Sequence, residues 1–277
     1  MINALTIDVE DYFNVTAFEG CIRPEDWDNY PLRVGDNVLK ILDILDEFSV
    51  RATFFVLGWI AERQPSIVKE IKKRGHEVGS HGYWHRLIYR TGQEAFRQDI
   101  SKAKELLEDI TGQPVIGYRA PSYSIVKESL WALDILAGEG YLYDSSIFPV
   151  VHDIYGLPGA NRFPHEIHTR CGTIKEFPIS TLSIPKLRFS IPVAGGGYLR
   201  FLPVCAIKKA ITHINMREGQ SAVIYFHPWE IDPGQPRIKA PLKSRFRHYT
   251  NLGSTVAKIR CLLSAFSFRP MSEILKF

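Results

Sequence analysis

The sequence predicts an α/β fold in which parallel strands alternate with helices and close toward a barrel. Three observations predict it. Short β-prone runs alternate with stretches of helical periodicity, more than five such units follow one another, and the polar residues suited to chemistry fall just after the runs. Barrels gather their active sites from those strand ends, which favours closure over a doubly wound sheet.

Residues 4–8 (ALTID) are apolar and then abruptly acidic, as expected of a buried strand delivering side chains at its C-terminal end. Val38, Ile41, Leu42, Leu45 and Phe48 follow helical spacing and lead into the β-prone run 52–57. Pro65 opens a helix carrying Ile67, Val68 and Ile71, which Gly75 ends before a third strand at 77–80. Phe96, Ile100, Ala103, Leu107 and Ile110 trace another helical stripe, stopped by Gly112 ahead of a strand at 115–118. Residues 130–137 form the next helix and 141–143 the next strand. The stretch 145–170 is rich in Pro, Gly, His and Asn without periodicity and reads as a long excursion. Regular pattern resumes with a strand at 173–178, a helix bearing Val204, Ile207, Ile211 and Ile214, a strand at 222–226 and an amphipathic helix near 256–266.

The 45% hydrophobic and 23% charged composition excludes a disordered chain and allows a large core. No apolar run reaches the length that spans a bilayer, about 18 residues. The N-terminus, MINALTIDVEDYF, lacks the pattern of an export signal. Cys21, Cys171, Cys205 and Cys261 are scattered without CxxC spacing, so we expect reduced, mostly buried thiols and a cytoplasmic protein, peripheral at the inner membrane if its charge docks it there. The net charge of +4 is unevenly placed. Between Arg237 and Arg260 stand seven basic residues and no acidic one, leaving −3 for the remainder.

The strongest local signal is GSHGYWH, Gly79 to His85, with two histidines four apart after a strand. On a helical turn this spacing puts both imidazoles on one face, near enough for one cation. Such pairs also arise by chance on surfaces. The acidic cluster Asp8, Glu10 and Asp11 strengthens the case, because carboxylates crowded at a strand end repel one another unless a cation or an arginine is near. Two histidines and one carboxylate make a hydrolytic metal set with a position open for water.

TIDVED, SHGYWH, YRAPSYS, YDSS and YFHPWE occur in the order and approximate spacing of the five motifs of the polysaccharide deacetylases, the NodB-homology group or carbohydrate esterase family 4. The chain most resembles the branch encoded alongside exopolysaccharide and exosortase systems, whose members begin with a DVEDYF-like motif and carry an extra C-terminal region. The resemblance implies a distorted (β/α) barrel of about seven parallel strands, with a catalytic domain over 1–230 and a basic C-terminal extension over 231–277 packed on it. It implies N-deacetylation of amino sugars in an exopolysaccharide or its lipid-linked precursor, with release of acetate.

Residue by residue, the resemblance makes Asp8 the catalytic base and His81 and His85 metal ligands. The third ligand is Glu10 or Asp11, since the family's adjacent aspartates are here separated: alternation along a strand favours Glu10, and an early turn favours Asp11. The ion would be one divalent metal, zinc suiting nitrogen ligands best, with cobalt, nickel and iron as alternatives. Arg119 matches the arginine that pairs with the base, and Pro121 completes its RxP motif. Ser122 replaces the usual tyrosine, with Tyr123 one place later, and a backbone N–H near Ser122 is the oxyanion donor. His227 matches the general acid and Asp144 the residue orienting it. Trp229 and residues 195–200 (GGGYLR), Tyr198 among them, either shape the sugar groove or form a flexible loop.

Two other readings compete. One is a small-molecule amidohydrolase similar to the metal-independent allantoinases, against which the His81 and His85 pair speaks. The other is an inactive carbohydrate-binding protein, whose signature, a lost motif residue, is missing here. The basic segment is expected to dock anionic phosphate, on the inner membrane or on a lipid-linked glycan. Nucleic acid is not expected, because no recognised binding motif accompanies the charge.

Overall fold

The computed structural model describes residues 1–184, 189–193 and 195–277. Its strands are β1 (Ile2–Val9), β2 (Thr53–Val56), β3 (Glu77–Ser80), β4 (Gly117–Tyr118), β5 (Tyr143–Asp144), β6 (His165–Thr169), β7 (Gly172–Glu176), β8 (Thr181–Ile184), β9 (Phe189–Pro192), β10 (Val223–Phe226) and β11 (Ser267–Arg269). The α-helices are α1 (Val34–Glu47), α2 (Gly58–Arg63), α3 (Pro65–Lys73), α4 (Gln93–Thr111), α5 (Trp131–Gly138), α6 (Gly197–Phe201), α7 (Val204–Met216), α8 (Leu242–Tyr249), α9 (Thr255–Leu263) and α10 (Met271–Leu275).

β10, β1, β2, β3, β4, β5 and β7 pair in that order and all in parallel, the doubly buried arrangement that an apolar run such as ALTI requires. Among the described residues the path does not return from β7 to β10, so the barrel is open on that side. Helices α1, α3, α4 and α7 cover the strands with Val38, Ile41, Ile71, Ile100, Leu107 and Ile211, all essentially inaccessible to solvent.

The excursion contains β6, which pairs antiparallel with β7. Its sequence, HEIHT, is half exposed and too polar to announce a strand; it is held by the backbone of its neighbour. The extension beyond 230 is woven into the fold, because β11 pairs with the start of β1 (Ile2 with Ser267, Ala4 with Arg269). Its charge is partly spent internally: Lys258 donates to the carbonyls of Leu199, Arg200 and Leu202, and Arg260 pairs with Glu47. The expectation of mostly buried thiols is corrected. Cys21, Cys171 and Cys205 lie on turns or outer helix faces and are exposed, and all four cysteines are free. No helix among the described residues is long and apolar enough to cross a membrane.

Asp11 proves to be structural. Its Oδ2 accepts the N–H of Arg33 (2.7 Å) and of Val34 (2.9 Å) where α1 begins, and its Oδ1 accepts the N–H of Tyr12 (2.8 Å). All its acceptor geometry serves the first loop, so Asp11 is removed from the candidate metal ligands. Asp11→Ala leaves these buried N–H groups without an acceptor and is expected to destabilise the fold by about 1–3 kcal/mol, read by urea denaturation. Unchanged stability would contradict the role.

Candidate active site

Four elements converge at the C-terminal ends of the parallel strands. β1 delivers Asp8 and, two residues on, Glu10 to the same side, both about 2% exposed. After β3 the chain does not form the helical turn that the histidine spacing suggested. Residues 81–85 bend through Gly82 (φ 72°) and His85 (φ 53°), and Asp99 on α4 fixes the bend by accepting the N–H groups of Tyr83 (2.7 Å) and Trp84 (3.1 Å). A Cβ at Gly82 would meet the Asp99 carboxylate at 2.8 Å. The loop still brings the two rings together, with centroids 5.4 Å apart.

Glu10, His81 and His85 each offer a ligand atom within 4.8 Å of the others, and all three are buried. The Nδ1–H of His81 donates to the Arg119 carbonyl (2.8 Å), which leaves its Nε2 lone pair for the cluster. Burial pushes the His81 imidazole down to about 4, keeping it neutral as a ligand must be. Glu10 Oε2 lies 2.6 Å from His85 Nε2, yet it makes no properly directed hydrogen bond. Buried ligand atoms of two imidazoles and a carboxylate converging on one spot are what a cation requires. The residues present therefore fit a divalent metal.

Asp8 adjoins this set in the same cavity. Its Oδ1 accepts from Arg119 Nη1 (2.7 Å) and its Oδ2 from the Tyr123 hydroxyl (3.3 Å). Arg119 is wholly buried, held also by Thr6, Ser145 and the face of Phe55. Ser122 and Tyr123 both have positive φ (50° and 53°), an unusual backbone for non-glycine residues and one that marks functional turns. The Tyr123 N–H is taken by the Ala120 carbonyl (3.0 Å).

His227 follows β10, with Nε2 3.6 Å from Glu10 Oε1 and 3.9 Å from Asp8 Oδ2. Its Nδ1–H donates to Glu230 (2.8 Å), not to Asp144. This corrects the expectation for Asp144, which lies on β5, bonded to the Ser146 hydroxyl (2.5 Å) and backbone. Glu230 reaches the ring because a tight turn carries it three residues past the histidine, while β5 stands five places from β10 along the sheet. Arg200 Nε in turn donates to Glu230 (2.5 Å) and, with His227, holds that carboxylate down to about 2 despite burial. Burial opposes charge on His227, but Glu10, Glu230 and Asp8 outweigh it and lift the imidazole to about 9. Glu230 was visible in HPWE at helical spacing from His227. Arg200 carried no local signal, since its contact spans thirty residues.

Asp8, Glu10, His81, His85, Arg200 and His227 line a cavity of about 540 Å³ that also takes in Ser122, Tyr123, Tyr198 and Trp229. Pro121 does not line it; its buried ring opens the turn that presents Ser122. Trp229 donates to Glu10 (3.1 Å) and stacks on His227 (5.1 Å between centroids). Gly195 lets the 195–200 segment approach, because a Cβ there would sit 1.8 Å from the Tyr225 carbonyl oxygen.

Part of this site falls within matches to known protein families. Residues 27–137 match the polysaccharide deacetylase family. The stretch that supplies His81, His85 and Arg119 therefore resembles the polysaccharide deacetylases. A second match, to a domain of unknown function (DUF3473), covers 145–276. The site draws on both matches: His81, His85 and Arg119 lie in the first, and Arg200, His227 and Glu230 in the second. A peptidoglycan-N-acetylglucosamine deacetylase of Bacillus cereus is 38% identical over 96 residues, covering 34% of this chain and 35% of that protein. The chain spans 33–41% of the length of the first curated relatives it matches. Among solved structures, one from Pseudomonas aeruginosa PAO1 assigned to the polysaccharide deacetylases superposes with a TM-score of 0.64 at 15% identity, covering 99% of this chain and 89% of that one. The allantoinase Puue superposes with a TM-score of 0.63 at 14% identity, covering 99% and 88%. At these identities the likeness concerns the fold, a mixed α/β architecture with a mostly parallel sheet.

Proposed function

We propose that the chain hydrolyses the N-acetyl group of an amino sugar within a glycan, releasing acetate and a free amine. The observation that carries the reading is an arginine-paired carboxylate, Asp8, and a protonated imidazole, His227, whose Nε2 lies 3.9 Å from Asp8 Oδ2 and 3.6 Å from Glu10 Oε1, beside the Glu10, His81 and His85 donor set. A divalent cation held by those three residues would polarise the acetyl carbonyl and acidify a water. Asp8, oriented by Arg119 and Tyr123, takes the proton from the attacking water. His227 gives its proton to the departing nitrogen, with Glu230 fixing which ring nitrogen faces the substrate. The Ser122 turn offers its backbone N–H to the developing oxyanion.

Two nitrogens and one carboxylate suit zinc, with cobalt, nickel and iron as competitors. The substrate is an N-acetylated sugar in an exopolysaccharide or in its lipid-linked precursor, in keeping with the motif resemblance. Four free cysteines, three of them exposed, fit a reducing compartment such as the cytoplasm.

The test is acetate release from N-acetylglucosamine and N-acetylgalactosamine oligomers before and after chelation, with metal content measured on the purified chain. We expect about one divalent ion per chain, activity lost on chelation and restored by zinc or cobalt, and Glu10→Gln protein that no longer retains the ion. Full acetate release from metal-free protein would sink the assignment.

A further inference from the structure

One edge of the cavity mouth carries groups that the deacetylation chemistry does not use. Helix α8 turns His248 inward onto Trp229, their rings 4.1 Å apart, and leaves Leu242 (80% exposed) and Phe246 (63% exposed) on its outer side, four residues apart. Phe201 of α6 stacks on Phe246 (5.6 Å between centroids). Val151, 76% exposed, stands two residues from Asp153, which pairs with Lys243 (3.2 Å) and Arg247 (3.4 Å). Lys239 and Arg245 are exposed and have no carboxylate within ion-pair distance among the described residues.

Asp153 is thus one negative charge set against four positive ones around an exposed apolar tip. Single exposed apolar residues are ordinary; a cluster rimmed by cations is not. Leu and Phe beside Lys and Arg compose an interfacial anchor, in which the apolar tip enters the acyl boundary and the cations meet headgroup phosphates. A symmetric contact with a second copy of this chain would set the same cations against each other, so charge favours the lipid.

We propose that the α8 edge docks the chain on an anionic lipid bilayer. Phe201, Lys243 and Arg247 belong both to this edge and to the cavity wall, so docking turns the mouth toward the membrane. The inference rests on the glycan reading only for what the membrane would deliver, a substrate on a lipid carrier. The docking is separate from it.

The experiment is flotation of the full chain with vesicles of phosphatidylcholine containing one third phosphatidylglycerol, beside vesicles of phosphatidylcholine alone. We expect binding to the anionic vesicles at low salt, reduced about tenfold on neutral vesicles and about tenfold in high salt. A Leu242→Ser, Phe246→Ser double variant, altered only at exposed positions and checked by its melting curve, is expected to lose about tenfold in partitioning. Absence of flotation on anionic vesicles, undiminished flotation of the variant, insensitivity to salt, or a soluble dimer abolished by the same two substitutions would each overturn the proposal. Acetate release by the wild-type chain, from a soluble oligosaccharide and from an N-acetylated glycan on a lipid carrier, separates the two readings: release from the soluble substrate without flotation defeats docking alone, and flotation without release from either substrate defeats the deacetylase reading alone.

Discussion

Asp8→Asn is expected to lower acetate release by about 10³-fold while the divalent ion stays bound. A positioned general base contributes roughly 10²–10⁴-fold, and the amide that replaces the carboxylate has nearly its shape but no affinity for the proton of water. The proposed ligands are Glu10, His81 and His85, so the substitution leaves that donor set untouched. The variant also strips the wholly buried Arg119 of its counter-charge, and removing one partner of a buried pair costs about 3–5 kcal/mol. Arg119 retains Thr6, Ser145 Oγ and the Ser145 carbonyl, which offset part of this cost. Turnover must therefore be measured well below the variant's melting temperature and normalised to folded, metal-loaded protein. Activity within tenfold of wild type under those conditions would remove Asp8 from its role as base.

How far the sequence discloses this site depends on the kind of contact concerned. Strand ends are local features, so the positions of Asp8, His81, Arg119 and His227 after apolar or β-prone runs are legible, and with them the side of the sheet on which the cavity opens. The choice between Glu10 and Asp11 is not legible, because it depends on the residue at which the extended backbone gives way. β1 ends at Val9, Glu10 stays on the side of Asp8, and Asp11 turns to meet the start of α1, more than twenty residues on. The spacing of the histidine pair predicts a helical turn that the chain does not adopt. The rings meet instead because Gly82 and His85 take positive φ and Asp99 ties the bend down. β6 and β11 escape a periodicity reading for a related reason: each is short, and each is stabilised by pairing with a partner whose identity no local pattern encodes. The exchange of Asp144 for Glu230 has the same origin, since motif order is blind to whether a sheet closes far enough to bring β5 to β10.

That exchange gives the second large effect. Glu230→Gln is expected to lower kcat by about 10²-fold and to move the alkaline limb of the pH profile downward by one to two pH units. The sign follows from the raised value of His227. An acid works only while protonated, so its contribution is present below its pKa and lost as the pH rises through it, here about 9 in the metal-free site. A cation bound beside Glu10 offsets part of the negative field and brings the limb below that value. Removing the Glu230 charge lowers it again, because burial then opposes protonation with one carboxylate fewer. Arg200 still donates to the carbonyls of His248, Thr250 and Arg247, so its guanidinium remains largely satisfied in the variant. A purely structural Glu230 would lower kcat or the melting temperature and leave the limb in place. Asp144→Asn provides the contrast: Asp144 bonds Ser146 and does not touch His227, so its loss is expected to leave the alkaline limb where it stands. A limb that moved with Asp144→Asn and not with Glu230→Gln would restore the assignment that the motif order first suggested.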